Sequence, residues 1–120
     1  MALLVVTSLV TACVPVAAPS TLLDVSTQLT WCGGVQPPPG EPACHTSPRS
    51  IPVEIRQKRD VVAQGTSDTT GHLVIVVPAG VPLRVVAAEA PAYEHCDEPT
   101  VVAAAGTATA VVQTCTVFAP

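Results

Sequence analysis

Thr66-Ser67-Asp68-Thr69-Thr70-Gly71-His72-Leu73-Val74-Ile75-Val76-Val77-Pro78-Ala79-Gly80 decides the fold class. A polar turn, an aliphatic run and a Pro-x-Gly turn follow one another without a break. Asp68 suits a turn because its carboxylate can accept hydrogen bonds from nearby backbone amides, and Gly71 supplies a positive φ that other residues resist. Pro78 suits the start of the next turn, and Gly80 suits its unusual conformation. The run between them is short and β-branched, and its unbroken apolar character predicts a central strand.

Outward from this stretch, turns and short β-type runs alternate. Val25, Thr27, Leu29 and Trp31 share one face of a strand over 25–31, which places Trp31 in the core. The segment 32–48, with Gly33-Gly34 and Pro37-Pro38-Pro39-Gly40, reads as a loop. Ile51, Val53 and Ile55 alternate with Pro52, Glu54 and Arg56, a half-buried strand that lies at an edge or starts at Pro52. Further strands are expected at 61–66, 81–89, 99–104 and 107–117, the last two forming a hairpin about Ala105-Gly106. Seven strands at this spacing predict an all-β, Ig-like sandwich. Thirteen prolines and seven glycines oppose long helices.

The two turns and their strand, Thr66–Gly71 and Pro78–Gly80, resemble the carboxypeptidase regulatory-like and Cna-B-type modules, whose pattern is T-D-x-x-G, an apolar strand, then P-x-G. Ala90-Pro-Ala-Tyr93 resembles the A-x-G-Y that follows in many of these domains, with Ala92 in the glycine's place. The resemblance covers residues 25–117 and implies a seven-stranded Greek-key sandwich of the transthyretin (prealbumin) type. The Lys–Asn crosslink of some Cna-B modules has no counterpart, since the chain has no asparagine and only Lys58 as lysine.

The amino terminus predicts an address. Residues 1–12 are apolar and end in Val10-Thr11-Ala12-Cys13, which resembles the bacterial lipobox. Twelve residues are too few to span a bilayer, which takes about 20, and they suit a signal peptide. Cys13 would then carry a diacylglycerol, with residues 13–24 as tether and 25–120 as the domain. The expected location is outside the cytoplasm, on the cell membrane or outer membrane.

Setting Cys13 aside leaves four cysteines, which allow three pairings. Cys32 and Cys44 bracket the Pro/Gly segment. If the last hairpin turns at Ala105-Gly106, Cys96 falls opposite Cys115, within bridging reach. The expected disulfides are therefore Cys32–Cys44 and Cys96–Cys115. No pair has the spacing of a zinc knuckle.

Little in the chain predicts chemistry. A net charge of −4 with five Lys and Arg supplies no basic patch for nucleic acid. One Trp, one Tyr and one Phe make a poor stacking platform for sugars or bases. His45, His72 and His95 lie on separate elements, and Cys96 in the His95–Glu98 cluster is claimed by a disulfide. Hydroxyisourate hydrolases of the transthyretin fold end in Tyr-Arg-Gly-Ser, where this chain has Val117-Phe-Ala-Pro120. The expected protein has no catalytic residues, cofactor or metal, and acts as a structural or protein-interaction module through a sheet edge. The alternative is a small-molecule or metal-binding protein on the same fold.

Overall fold

The computed structural model describes residues 19–33, 40 and 43–119. Residues 1–12, Cys13 and tether positions 14–18 lie outside the described residues, as does the 34–39 part of the Pro/Gly segment. Nine strands follow in order: β1 (Ser20–Gly33), β2 (Cys44–Pro48), β3 (Pro52–Gln57), β4 (Asp60–Thr66), β5 (His72–Pro78), β6 (Pro82–Ala87), β7 (His95–Cys96), β8 (Thr100–Val102) and β9 (Thr109–Ala119). No helix occurs among the described residues.

The strands form two sheets stacked as a sandwich. The larger has five strands, in the order β2-β1-β9-β7, with β5 also paired to β1; the smaller has four, β4-β3-β6-β8. All pairings are antiparallel except that of β1 with β9. Alternation in the sequence determines what faces inward. Leu23, Val25 and Val77 of the larger sheet meet Val53, Ile55, Leu83 and Val85 of the smaller, with Ala103 beside them. Each such aliphatic side chain, fully buried, contributes roughly 1.5–3 kcal/mol.

β1 organises the larger sheet. Along one side Leu23–Gly33 pair with β9. On its other side Ser20–Ser26 pair with β5 and Gln28–Cys32 pair with β2. Thr27 stands at the changeover. Its amide donates to the Gly71 carbonyl at 2.7 Å, and its carbonyl accepts the Arg49 amide at 3.1 Å, so neither backbone group is orphaned where the partner strand changes.

Several expectations are corrected. The segment read as a loop to residue 48 contains β2; every residue of that strand is exposed, so no alternation marks it. β7, only two residues long, lies between the strands expected at 81–89 and 99–104, where none is expected. Positions 20–24, assigned to the tether, form the first part of β1, and Leu23 is fully buried. β5 is an edge strand rather than a central one, because β1 is its sole ladder partner among the described residues. The expected hairpin of 99–104 with 107–117 is absent: β8 pairs with β6 in the smaller sheet while β9 joins the larger, so Gly106, at φ 86°, lies in a connection between sheets. Trp31 has the parity of Leu23 and Val25 but is 51 % exposed. β1 is 14 residues long and faces strands of six, and at about 3.3 Å per residue its end overhangs the facing sheet.

β3 is internal to its sheet and begins at Pro52, a position that tolerates the missing amide donor.

Candidate functional site

The loop from Ser67 to Gly71 is built around one carboxylate. Asp68 Oδ1 accepts the Thr70 hydroxyl at 2.6 Å, the Thr70 amide at 2.9 Å and the His72 amide at 3.0 Å. The Thr70 hydroxyl above all, then the His72 amide, holds the Asp68 carboxyl below its ordinary value. Gly71 has φ 82°, and a Cβ there would meet the Thr27 carbonyl oxygen at 2.5 Å. At the other end of β5, Pro78 pairs with Ser20, and Gly80, at φ 77°, donates its amide to Ala103 at 2.9 Å. With its lone carboxylate occupied by its own turn, this loop is a device for aiming β5 at β1.

Beneath it lies a buried polar knot that the sequence did not announce. The Thr27 and Ser67 hydroxyls are 2.6 Å apart, Thr27 Oγ1 donates to the Arg49 carbonyl at 2.6 Å, and Ser67 Oγ accepts the Ile51 amide at 2.9 Å. Arg49 reaches Glu94 with two parallel bonds of 2.8 and 2.5 Å, and the Glu94 side chain is only 4 % exposed. Gln113, fully buried on β9, donates to the Asp97 carbonyl at 3.2 Å. The one available signal was Thr27, a polar residue at a core position of an alternating strand.

Both expected disulfides are present, Cys32–Cys44 and Cys96–Cys115. Each joins residues directly opposite on antiparallel strands, β1 with β2 and β7 with β9. The register placing Cys96 opposite Cys115 is the expected one, but β7 carries it, because β8 has left for the other sheet.

The histidines do not converge. His45 is opposite Trp31 on β2, His72 Nδ1 lies 3.6 Å from Asp24 Oδ1, and His95 packs against Phe118 with ring centroids 5.9 Å apart. Asp97 Oδ1 accepts the Thr114 amide at 2.8 Å, and Glu98 faces Arg84. Among the described residues one group has metal-ligand geometry, Glu94 with Cys96 and Cys115. Two of its members are joined as a disulfide, and its carboxylate is held by Arg49, so it offers no thiolate.

Part of the face that the larger sheet presents to solvent is aliphatic. Leu22 and Val76 are cross-strand partners on β1 and β5, Val74 follows on the same face, and Val112 lies on β9. Val74 and Val76 are 58 % and 60 % exposed. This exposed face continues to the unpaired side of β5, so apolar side chains and a free row of backbone donors and acceptors occur together. Such edges are sites of strand addition.

The chain matches no known protein-family model, no curated protein and no solved structure.

Proposed function

We propose that this chain is a non-catalytic, exported lipoprotein that displays a disulfide-stapled β-sandwich as a structural or protein-interaction module. Export and anchoring rest on the lipobox-like Val10-Thr11-Ala12-Cys13, with a diacylglycerol on Cys13 holding the domain to the cell membrane or outer membrane. The two disulfides are compatible with an oxidising compartment. In this reading seven of the nine strands, all but β2 and β7, are the Greek-key core of a transthyretin-like, carboxypeptidase regulatory-like domain. The turns that flank β5, with Asp68, Gly71, Pro78 and Gly80 in their places, support that kinship.

The single observation that carries the interaction role is β5: an edge strand with Val74 and Val76 turned to solvent. Its partner is an exported protein that adds a strand along β5 and covers the valines. Two measurements test the reading. Mass spectrometry of the mature chain from a bacterial host is expected to find a lipid-modified Cys13; an unlipidated chain that retains Met1 overturns the anchoring. A photo-cross-linking residue at position 76 is expected to capture an exported protein that the same residue at Thr69 does not. Equal capture at both positions, or none at 76, overturns the interaction role.

A further inference from the structure

We propose that the corner of the smaller sheet where β3 and β6 meet the β3–β4 turn binds a small organic oxyanion, a carboxylate or phosphate on a short apolar body. The chain has five Lys and Arg in all and a net charge of −4, yet Arg56, Lys58 and Arg84 line one cavity there, and Arg59 stands in the adjoining turn. The cavity has a volume of about 470 Å³, within the roughly 300–1,000 Å³ of small-ligand sites.

The charges are placed against their own repulsion. Arg56 and Arg84 are direct cross-strand partners in the β3–β6 ladder, and both leave the face on which Ile55 and Val85 are buried. Like charges directly opposite each other destabilise a sheet, and a further anion shared between the two would relieve that repulsion. Each guanidinium has one carboxylate of the chain near it, held closely at Arg56 and loosely at Arg84. Arg56 donates Nε and Nη2 to Glu54 Oε1 at 3.1 and 2.6 Å. Arg84 Nε is buried without a hydrogen-bond partner, and Glu98 Oε1 is 3.5 Å away. The Arg84–Glu98 pair is too long for a good hydrogen bond, so Arg84 Nε keeps donor capacity, and an oxyanion is the group a guanidinium fork takes best.

Lys58 adds an ammonium group from a strained position, since its φ of 57° lies in the left-handed region. Val81 and Pro82 form an apolar wall, and Thr100 is a polar residue of the lining, as is Gln57. Cations and apolar wall line one concavity instead of lying along a stripe, so the shape suits a small amphiphilic anion rather than a polyanion. The site depends on neither the lipid anchor nor the β5 edge.

The test is titration of the purified full-length chain with benzoate and with phenyl phosphate, followed by calorimetry and by the backbone amide resonances of Arg56, Lys58, Arg84 and Thr100, with benzyl alcohol as the neutral counterpart. Saturable binding of at least one anion is expected, weakening with added salt, and the tighter of the two identifies carboxylate or phosphate as the preferred head group. Arg84→Gln should weaken it roughly tenfold, the loss of one charged hydrogen bond. Lys58→Gly should weaken it as well while leaving the fold intact, because glycine accepts the left-handed turn. No saturation with either anion, equal binding of benzyl alcohol, or unchanged affinity in both variants would overturn the proposal.

Discussion

Gly71 lies against Thr27 so closely that its carbonyl accepts the Thr27 amide at 2.7 Å and a Cβ on it would come within 2.5 Å of the Thr27 carbonyl oxygen. The contact closes the point at which β1 exchanges β5 for β2. Gly71→Ala meets both a left-handed φ and a backbone clash, and is expected to cost about 3 kcal/mol. Gly80 has a similar φ, 77°, with nothing within 4 Å of its Cβ position, so Gly80→Ala should cost only about 1 kcal/mol. Urea unfolding of the two variants measures the difference, and equal losses would refute the role given to the contact.

The Thr27 hydroxyl is expected to contribute beyond its shape. Thr27→Val keeps the volume but leaves the Arg49 carbonyl and Ser67 hydroxyl short of a partner, at about 1–3 kcal/mol. Because Thr27 and Ser67 belong to one network, a double-mutant cycle with Ser67→Ala should show the two losses to be less than additive. Strict additivity would mean that the hydroxyls act separately.

Arg49 and Glu94 join the β2–β3 connection to the segment before β7. Arg49→Met removes the cation from a carboxylate that is 4 % exposed, and about 3–5 kcal/mol of stability should go with it. The pair replaced together, Arg49→Met with Glu94→Leu, is expected to recover most of that loss, since no uncompensated buried charge remains. Thermal melts of the three variants decide the matter.

Asp68 makes stability fall in acid. Its folded pKa lies below the ordinary aspartate value of 3.8, so the stabilisation is complete above that value and is lost as pH falls through the lower, folded one. Urea midpoints measured down through that window should decline in the parent chain and decline less in Asp68→Asn, whose amide oxygen still accepts the turn's hydrogen bonds but does not titrate. Parallel pH curves would contradict it.

The disulfides close loops of 12 and 19 residues in separation, and each should stabilise by about 3 kcal/mol on chain-entropy grounds. They should differ in chemistry. Cys44 is exposed and Cys115 is fully buried, so a dithiol should open Cys32–Cys44 first. Alkylation with mass mapping during partial reduction reports the order, and prior labelling of Cys96 and Cys115 would reverse this conclusion.

Local chemistry was legible where one residue type has one physical use. Gly71 and Gly80 mark positive φ because only glycine is unstrained there, and Val53 and Ile55 mark an inward face because sheet side chains alternate. Elements whose stabilisation comes from distant partners were harder to read. β2 is exposed throughout and gains its hydrogen bonds from β1, so its composition looks like a loop. Trp31 has the correct parity, but parity does not say how far the opposite sheet extends. Val74 and Val76 read as central because an apolar run looks alike in a buried strand and on an exposed edge.

The sequence by itself determined an all-β chain, its principal turns, the inward faces of its main strands and the reach of Cys32 to Cys44 across the Pro/Gly segment. Those follow from φ preferences, two-residue periodicity and reach, which act over a few residues or one ladder. The tertiary structure alone decided which sheet each strand enters. It sent β8 to β6 and left β7 to hold Cys96 against Cys115, put β5 at an edge, and set Arg56 opposite Arg84 across 28 positions of chain. Strand partners are selected by long-range packing and by satisfaction of backbone groups, as at Thr27, and a linear pattern of side chains specifies faces without specifying neighbours.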